Sequence, residues 1–116
     1  MWNHRVRAAS HFQLRHLEYL DLSGNDFGES RIPKFIGSLK QLSYLNLSRA
    51  YFQGNIPHHI GNLSNLKVLD LSWNFDMMAN DMAWTSGLSS LEYLDLSLVD
   101  FGNAQNKDML LCMIPS

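Results

Sequence analysis

Residues that could do chemistry recur at fixed places in this 116-residue chain. Asp21, Asp70 and Asp95 each stand in the same Leu-Asp-Leu-Ser context, and Ser23, Ser48, Ser72 and Ser97 follow two residues after the fifth position of each copy. A carboxylate near a hydroxyl could serve acid–base or nucleophilic chemistry. A catalytic serine, however, needs one base set against one hydroxyl, and four serines that recur with all their surroundings read as scaffold. Asp70 and Asp95 are expected side by side on adjacent strands, where like charges repel by roughly a few tenths of a kcal/mol and a cation would relieve them. Two carboxylates with no further ligand at recognisable spacing do not make a metal site, so the pair is expected to be tolerated and screened by solvent. His58 and His59 follow Ile56-Pro57 with no Cys or carboxylate at metal-ligand spacing, and they read as solvated surface histidines. With no Gly-rich phosphate loop, kinase signature or nucleophile elbow, the expectation is a non-enzyme with no catalytic residue, no metal and no cofactor.

Charge narrows the partners further. Nine Lys and Arg against eleven Asp and Glu give a net charge of -2, which offers no electrostatic attraction to nucleic acid or an anionic membrane. Arg5, Arg7 and Arg15 with His4, His11 and His16 form the one basic concentration, and it lacks the aromatic interleaving of a nucleic-acid motif; a solvated leader is expected there. Cys112 stands alone, so no intrachain disulfide can form. No run approaches the roughly 18 apolar residues of a membrane span. No continuous apolar stretch follows the first basic residues, so neither a secretion signal nor an anchor is visible.

The elements that must position these residues are legible as a repeat. LEYLDLSGNDF from Leu17, LSYLNLSRAYF from Leu42, LKVLDLSWNFD from Leu66 and LEYLDLSLVDF from Leu91 align without gaps. A period in the low-to-middle twenties with Leu at positions one, four and six is a leucine-rich repeat signature. Within each copy Leu alternates with polar residues at the period of a strand with one buried face. One such strand cannot bury its own Leu face, so copies must stack in parallel. The expected buried columns are Leu20, Leu45, Leu69, Leu94 and Leu22, Leu47, Leu71, Leu96. Asn25 and Asn74 hold the ninth position, where an inward amide can satisfy turn backbone; Ala50 and Val99 replace it, and water or altered turn geometry is expected to compensate. Phe27, Phe52 and Phe101, two residues further on, are expected to form an aromatic spine.

The fold expected is an α/β repeat solenoid: a leucine-rich repeat right-handed superhelix with a concave parallel sheet, about four repeats, uncapped at both ends. The organisation expected is a basic leader and the tail of an incomplete repeat over 1–16, then repeats over 17–41, 42–65, 66–90 and 91–116. Leu14 lies three residues before Leu17 just as Leu39 lies before Leu42, so the chain reads as starting inside a repeat, and Ile114-Pro115-Ser116 stops where another strand would start. Open ends of this kind would favour self-association.

RIPKFIGSLKQL and GNIPHHIGNLSNL complete the unit, and in them the chain resembles the plant-specific leucine-rich repeats of receptor-like kinases, receptor-like proteins and polygalacturonase-inhibiting proteins. Pro33 and Pro57, lacking an N–H, suit a solvent-side turn or a short second strand on an edge. The third repeat departs from the pattern as NFDMMANDMAWTSGLSSL, with Trp84 and Leu88 in place of the usual anchors; this variant looks most like early repeats of plant receptor-like proteins. The resemblance implies a non-enzymatic segment that recognises a protein or peptide ligand, with a co-receptor as a further partner, on the extracellular side of the cell membrane in defence or developmental signalling. A secreted inhibitor of cell-wall-degrading enzymes, a truncated product and an intracellular adaptor fit the same residues.

Ligand contacts in such repeats come from strand positions between the buried Leu residues. The candidates are Tyr19, Tyr44 and Tyr93 in the third column, Asp70 and Asp95 in the fifth, and Arg49, Trp73 and Leu98 in the eighth, where Gly24 is the fourth member. Aromatic residues and Arg are the types enriched at binding hot spots, and Trp73 is the foremost candidate. Asn46-Leu47-Ser48 and Asn62-Leu63-Ser64 are N-glycosylation sequons; Asn62, in a turn, is the expected acceptor, whereas a glycan on Asn46 would cover the concave face.

Overall fold

The fold, taken from a computed structural model, describes residues 16–102. The basic leader, Cys112, the last part of the fourth repeat and both chain ends, on which the open-core expectation rests, lie outside the described residues. Among the described residues there are six three-residue strands: β1 (Tyr19–Asp21), β2 (Tyr44–Asn46), β3 (Gln53–Asn55), β4 (Val68–Asp70), β5 (Asp76–Met78) and β6 (Tyr93–Asp95). The sheet β1-β2-β4-β6 is parallel throughout, and the register aligns Leu20, Leu45, Leu69 and Leu94 as one column. A second parallel sheet pairs β3 with β5. On the opposite side the chain returns through 3-10 segments at Lys34–Ser38, His58–Asn62 and Ala83–Gly87.

Alternation within the strands sends Leu inward, and the return segments supply the rest of the core. Leu45, Leu47, Leu69 and Leu71 of the inner repeats are fully buried, whereas Leu20, Leu22 and Leu94 are partly buried. Ile36, Ile60 and Leu63 close the core from the 3-10 side. Pro33 and Pro57 belong to neither the second sheet nor an edge strand: each is the residue just before a 3-10 segment, with φ of -68° and -67°. That φ is fixed by the ring and suits helix entry, where a missing N–H costs nothing.

Successive 3-10 segments approach so closely that only glycine fits between them. A Cβ on Gly61 would lie 2.6 Å from the Trp84 carbonyl oxygen, and one on Gly37 or Gly87 would strike the backbone oxygen of His59 or Gly61. Gly61→Ala is therefore expected to lower stability by about 1–3 kcal/mol, since backbone must shift to admit the methyl. Urea denaturation reads this directly.

The third repeat is rebuilt around its departure from the pattern. Between β4 and β5 the chain is one residue shorter than between β2 and β3, and between β5 and the following 3-10 segment it is two residues longer. Met77 and Met82 are fully buried, while Trp84 and Leu88 take the anchor positions that the sequence suggested. The aromatic spine is accordingly interrupted. Phe27 and Phe52 stack with centroids 5.2 Å apart, Asp76 pairs in register with Gln53 so that the residue in line with Phe52 is the exposed Phe75, and Phe101 packs against the core only in part.

The Asn ladder also works differently from expectation. Neither water nor altered geometry is needed at Ala50, because Asn74 reaches back from the next repeat. Its Oδ1 accepts hydrogen bonds from the backbone N–H groups of Ala50 (3.2 Å) and Phe52 (3.0 Å). Its Nδ2 donates to the carbonyls of Leu47 and Leu71 at 2.9 Å and of Ser72 at 3.2 Å.

Candidate ligand-binding face

The face of the four-stranded sheet opposite the Leu core carries the third, fifth and eighth columns. In the third, Tyr19 and Tyr44 stack at 4.2 Å with planes 7° apart, while Tyr93 stands half exposed two rungs away, beyond Val68. The sheet thus brings Tyr19 and Tyr44 together and leaves Tyr93 separate.

The fifth column has two roles divided between its oxygens. In Asp21, Asp70 and Asp95, Oδ1 accepts both the N–H and the hydroxyl of the serine two residues on, at 2.6–3.0 Å. Asn46 holds the Ser48 N–H in the same way at 3.0 Å. These bonds end each strand in a fixed turn, so one oxygen of each carboxylate is scaffold. Asp70 and Asp95 are indeed partners in register. The Ser97 hydroxyl and then its N–H hold the Asp95 carboxyl below the ordinary carboxylate range. Because the folded state depresses this pKa, the stabilisation is present at neutral pH and is lost as the pH falls through that range and below it. Ser97→Ala removes the hydroxyl and keeps the N–H, so the Asp95 titration followed by NMR should move up part of the way, and the acid limb of the stability curve should lose amplitude and level off at higher pH.

The eighth column shows what sequence reasoning missed. Gly24, Arg49, Trp73 and Leu98 all lie at positive φ, between 53° and 74°. Each of the first three donates its N–H to the seventh-position carbonyl of the next rung, Ser48, Ser72 and Ser97, at 2.9–3.1 Å. This geometry suits glycine, and a residue bearing Cβ there costs about 1–2 kcal/mol. The only hint in the sequence was Gly24, masked by three bulky residues. Trp73 is 42% exposed; the Arg49 guanidinium lies 4.7 Å over its ring, and Phe75 meets it edge-on at 5.8 Å. Leu98 is half exposed on the next rung. Phe75 and Tyr51, which sequence reasoning passed over, are exposed as well, and they extend the apolar surface away from the strands.

Leucine Rich repeat family profiles match residues 13–30 and 41–63. Receptor-like protein EIX1 of Solanum lycopersicum is 52% identical over 89 residues, covering 77% of this chain. The chain is a run of plant-type leucine-rich repeats. It resembles the ectodomain of plant receptor-like proteins, and it spans 8% of the length of the tomato relative. Among solved structures, the leucine-rich repeat chain of the plant peptide hormone receptor RGFR1 in complex with RGF2 superposes with a TM-score of 0.70 at 31% identity, over 76% of this chain and 14% of that one. The Arabidopsis receptor kinase HAESA, in complex with the peptide hormone IDA and the co-receptor SERK1, gives 0.63 at 30% identity over 70% and 13%. Both of these solved receptors are complexed with a peptide.

Elsewhere on the leucine-rich repeat unit, the histidine pair departs from expectation. His58 is exposed, but His59 is half buried, stacked on His58 at 4.1 Å, and its Nδ1 is buried without a hydrogen-bond partner. Burial, then the neighbouring His58 and Lys34, push its pKa down, so His59 is a packed neutral side chain rather than a solvated one. Among the described residues no helix is long and apolar enough to cross a membrane.

Proposed function

We propose that these repeats form part of the recognition surface of a plant receptor-like protein, binding a protein or peptide ligand on the exposed face of the four-stranded sheet without catalysis. The observation that carries this reading is the eighth column, in which Arg49, Trp73 and Leu98 occupy left-handed positions that favour glycine and still present exposed side chains. Strain of this kind persists where function retains it. A preassembled Arg-on-Trp contact also limits the side-chain entropy lost on binding. Tyr19, Tyr44 and Tyr93 with Asp70 and Asp95 would form the rest of the contact surface. The peptide hormones held by the similar receptors support a peptide as ligand, and the HAESA complex supports a co-receptor as second partner. The same relatives support signalling in defence or development from the outer face of the cell membrane. The test is ligand affinity in a full-length receptor containing these repeats, with Trp73 replaced and the folded amount held constant.

A further inference from the structure

We infer that of the two sequons only Asn62 carries an N-linked glycan, and that its proximal sugar lies in a furrow on the 3-10 side of the molecule. Asn62 is the exposed last residue of its 3-10 segment, Ser64 is exposed, and the Asn62 side chain has no hydrogen-bond partner among the described residues. The buried Leu63 between them anchors the sequon so that both flanking side chains face outward. Asn62 also lines a shallow furrow of about 320 Å³ formed with His58, Gly61, Ala83, Trp84, Ser86 and Gly87. Gly61 and Gly87, which the close approach of the 3-10 segments demands, contribute no side chain to this furrow. The small residues Gly61, Ala83 and Gly87 leave room for a pyranose, with His58 and Ser86 also lining the furrow.

Asn46 has the opposite surroundings. Its Oδ1 holds the Ser48 N–H, its Nδ2 donates to the Tyr44 hydroxyl at 3.4 Å, and Ser48 is itself buried. Asp21 and Asp70 flank it in register on the neighbouring rungs. Strands lie about 4.8 Å apart, so a sugar on Asn46 would displace both neighbours and break the bond that ends β2.

The experiment expresses the chain with a fused secretion signal in plant cells and maps glycopeptides by mass spectrometry. One glycan is expected at Asn62, lost in Asn62→Gln and unchanged in Asn46→Gln. Occupancy at Asn46, or an unmodified Asn62, overturns the assignment. For the furrow, protein trimmed by endoglycosidase to a single N-acetylglucosamine should melt at higher temperature than the Asn62→Gln chain; equal melting temperatures overturn the packed sugar.

Discussion

Asn74→Ala is expected to destabilise the repeats by about 3–4 kcal/mol, the largest effect of any polar substitution among the described residues. The side chain is fully buried, and it makes five hydrogen bonds to backbone of two repeats. Its removal leaves the N–H groups of Ala50 and Phe52 without their acceptor among fully buried neighbours. Each buried group left unpaired costs about 1–3 kcal/mol. A water admitted to the vacated space would recover part of this, which keeps the total below the sum of five bonds. Asn25→Ala is the internal control, because Asn25 has the same place in the motif but is exposed and, among the described residues, makes only local bonds to Leu22 and Ser23. Its loss should cost less than about 1 kcal/mol. Paired urea curves decide the matter: equal midpoint shifts for the two variants would mean that the bonds across repeats do not matter. Against a typical total of about 5–15 kcal/mol, the Asn74 loss is large enough to populate unfolded chain.

The two asparagines also mark how far a sequence of this type can be read. The Leu columns were legible because burial in a strand follows the alternation of side chains, and four copies fix their phase. Sequence pattern places Asn74 at an inward position but does not show which backbone it serves. Its acceptor contacts reach 22 and 24 residues back, to backbone N–H groups of the preceding repeat. The third repeat hid its changes for a related reason. One residue fewer before β5 and two more after it nearly cancel, so the spacing of Leu66 and Leu91 stays within the ordinary period. The candidate face was legible by column, but its backbone was not: positive φ is written in sequence as glycine, and only Gly24 spelled it. Pairings such as Arg49 on Trp73 and Trp73 on Phe75 depend on that backbone, which aims the eighth side chain across neighbouring rungs.

Replacing Trp73 separates binding from folding in a way few residues allow. Trp73→Ala in a full-length receptor should weaken ligand binding about 30-fold, the loss of about 2 kcal/mol typical of an aromatic hot spot. Trp73→Gly should weaken it equally. The two differ in stability. Glycine relieves the left-handed penalty of about 1–2 kcal/mol, while the unfolded chain gains freedom worth about 0.4–1 kcal/mol and the contacts with Arg49 and Phe75 are lost. The glycine variant should therefore fold at least as well as the alanine variant and stay within about 1 kcal/mol of the parent. A scaffold tryptophan would behave otherwise, since its loss would lower stability in both variants and reduce binding only through the amount of folded protein. Surface plasmon resonance on purified folded receptor, with melting curves on the same samples, distinguishes the two. Full affinity in both variants would remove Trp73 from the binding surface, and with it the reason for keeping a bulky side chain where the backbone favours glycine.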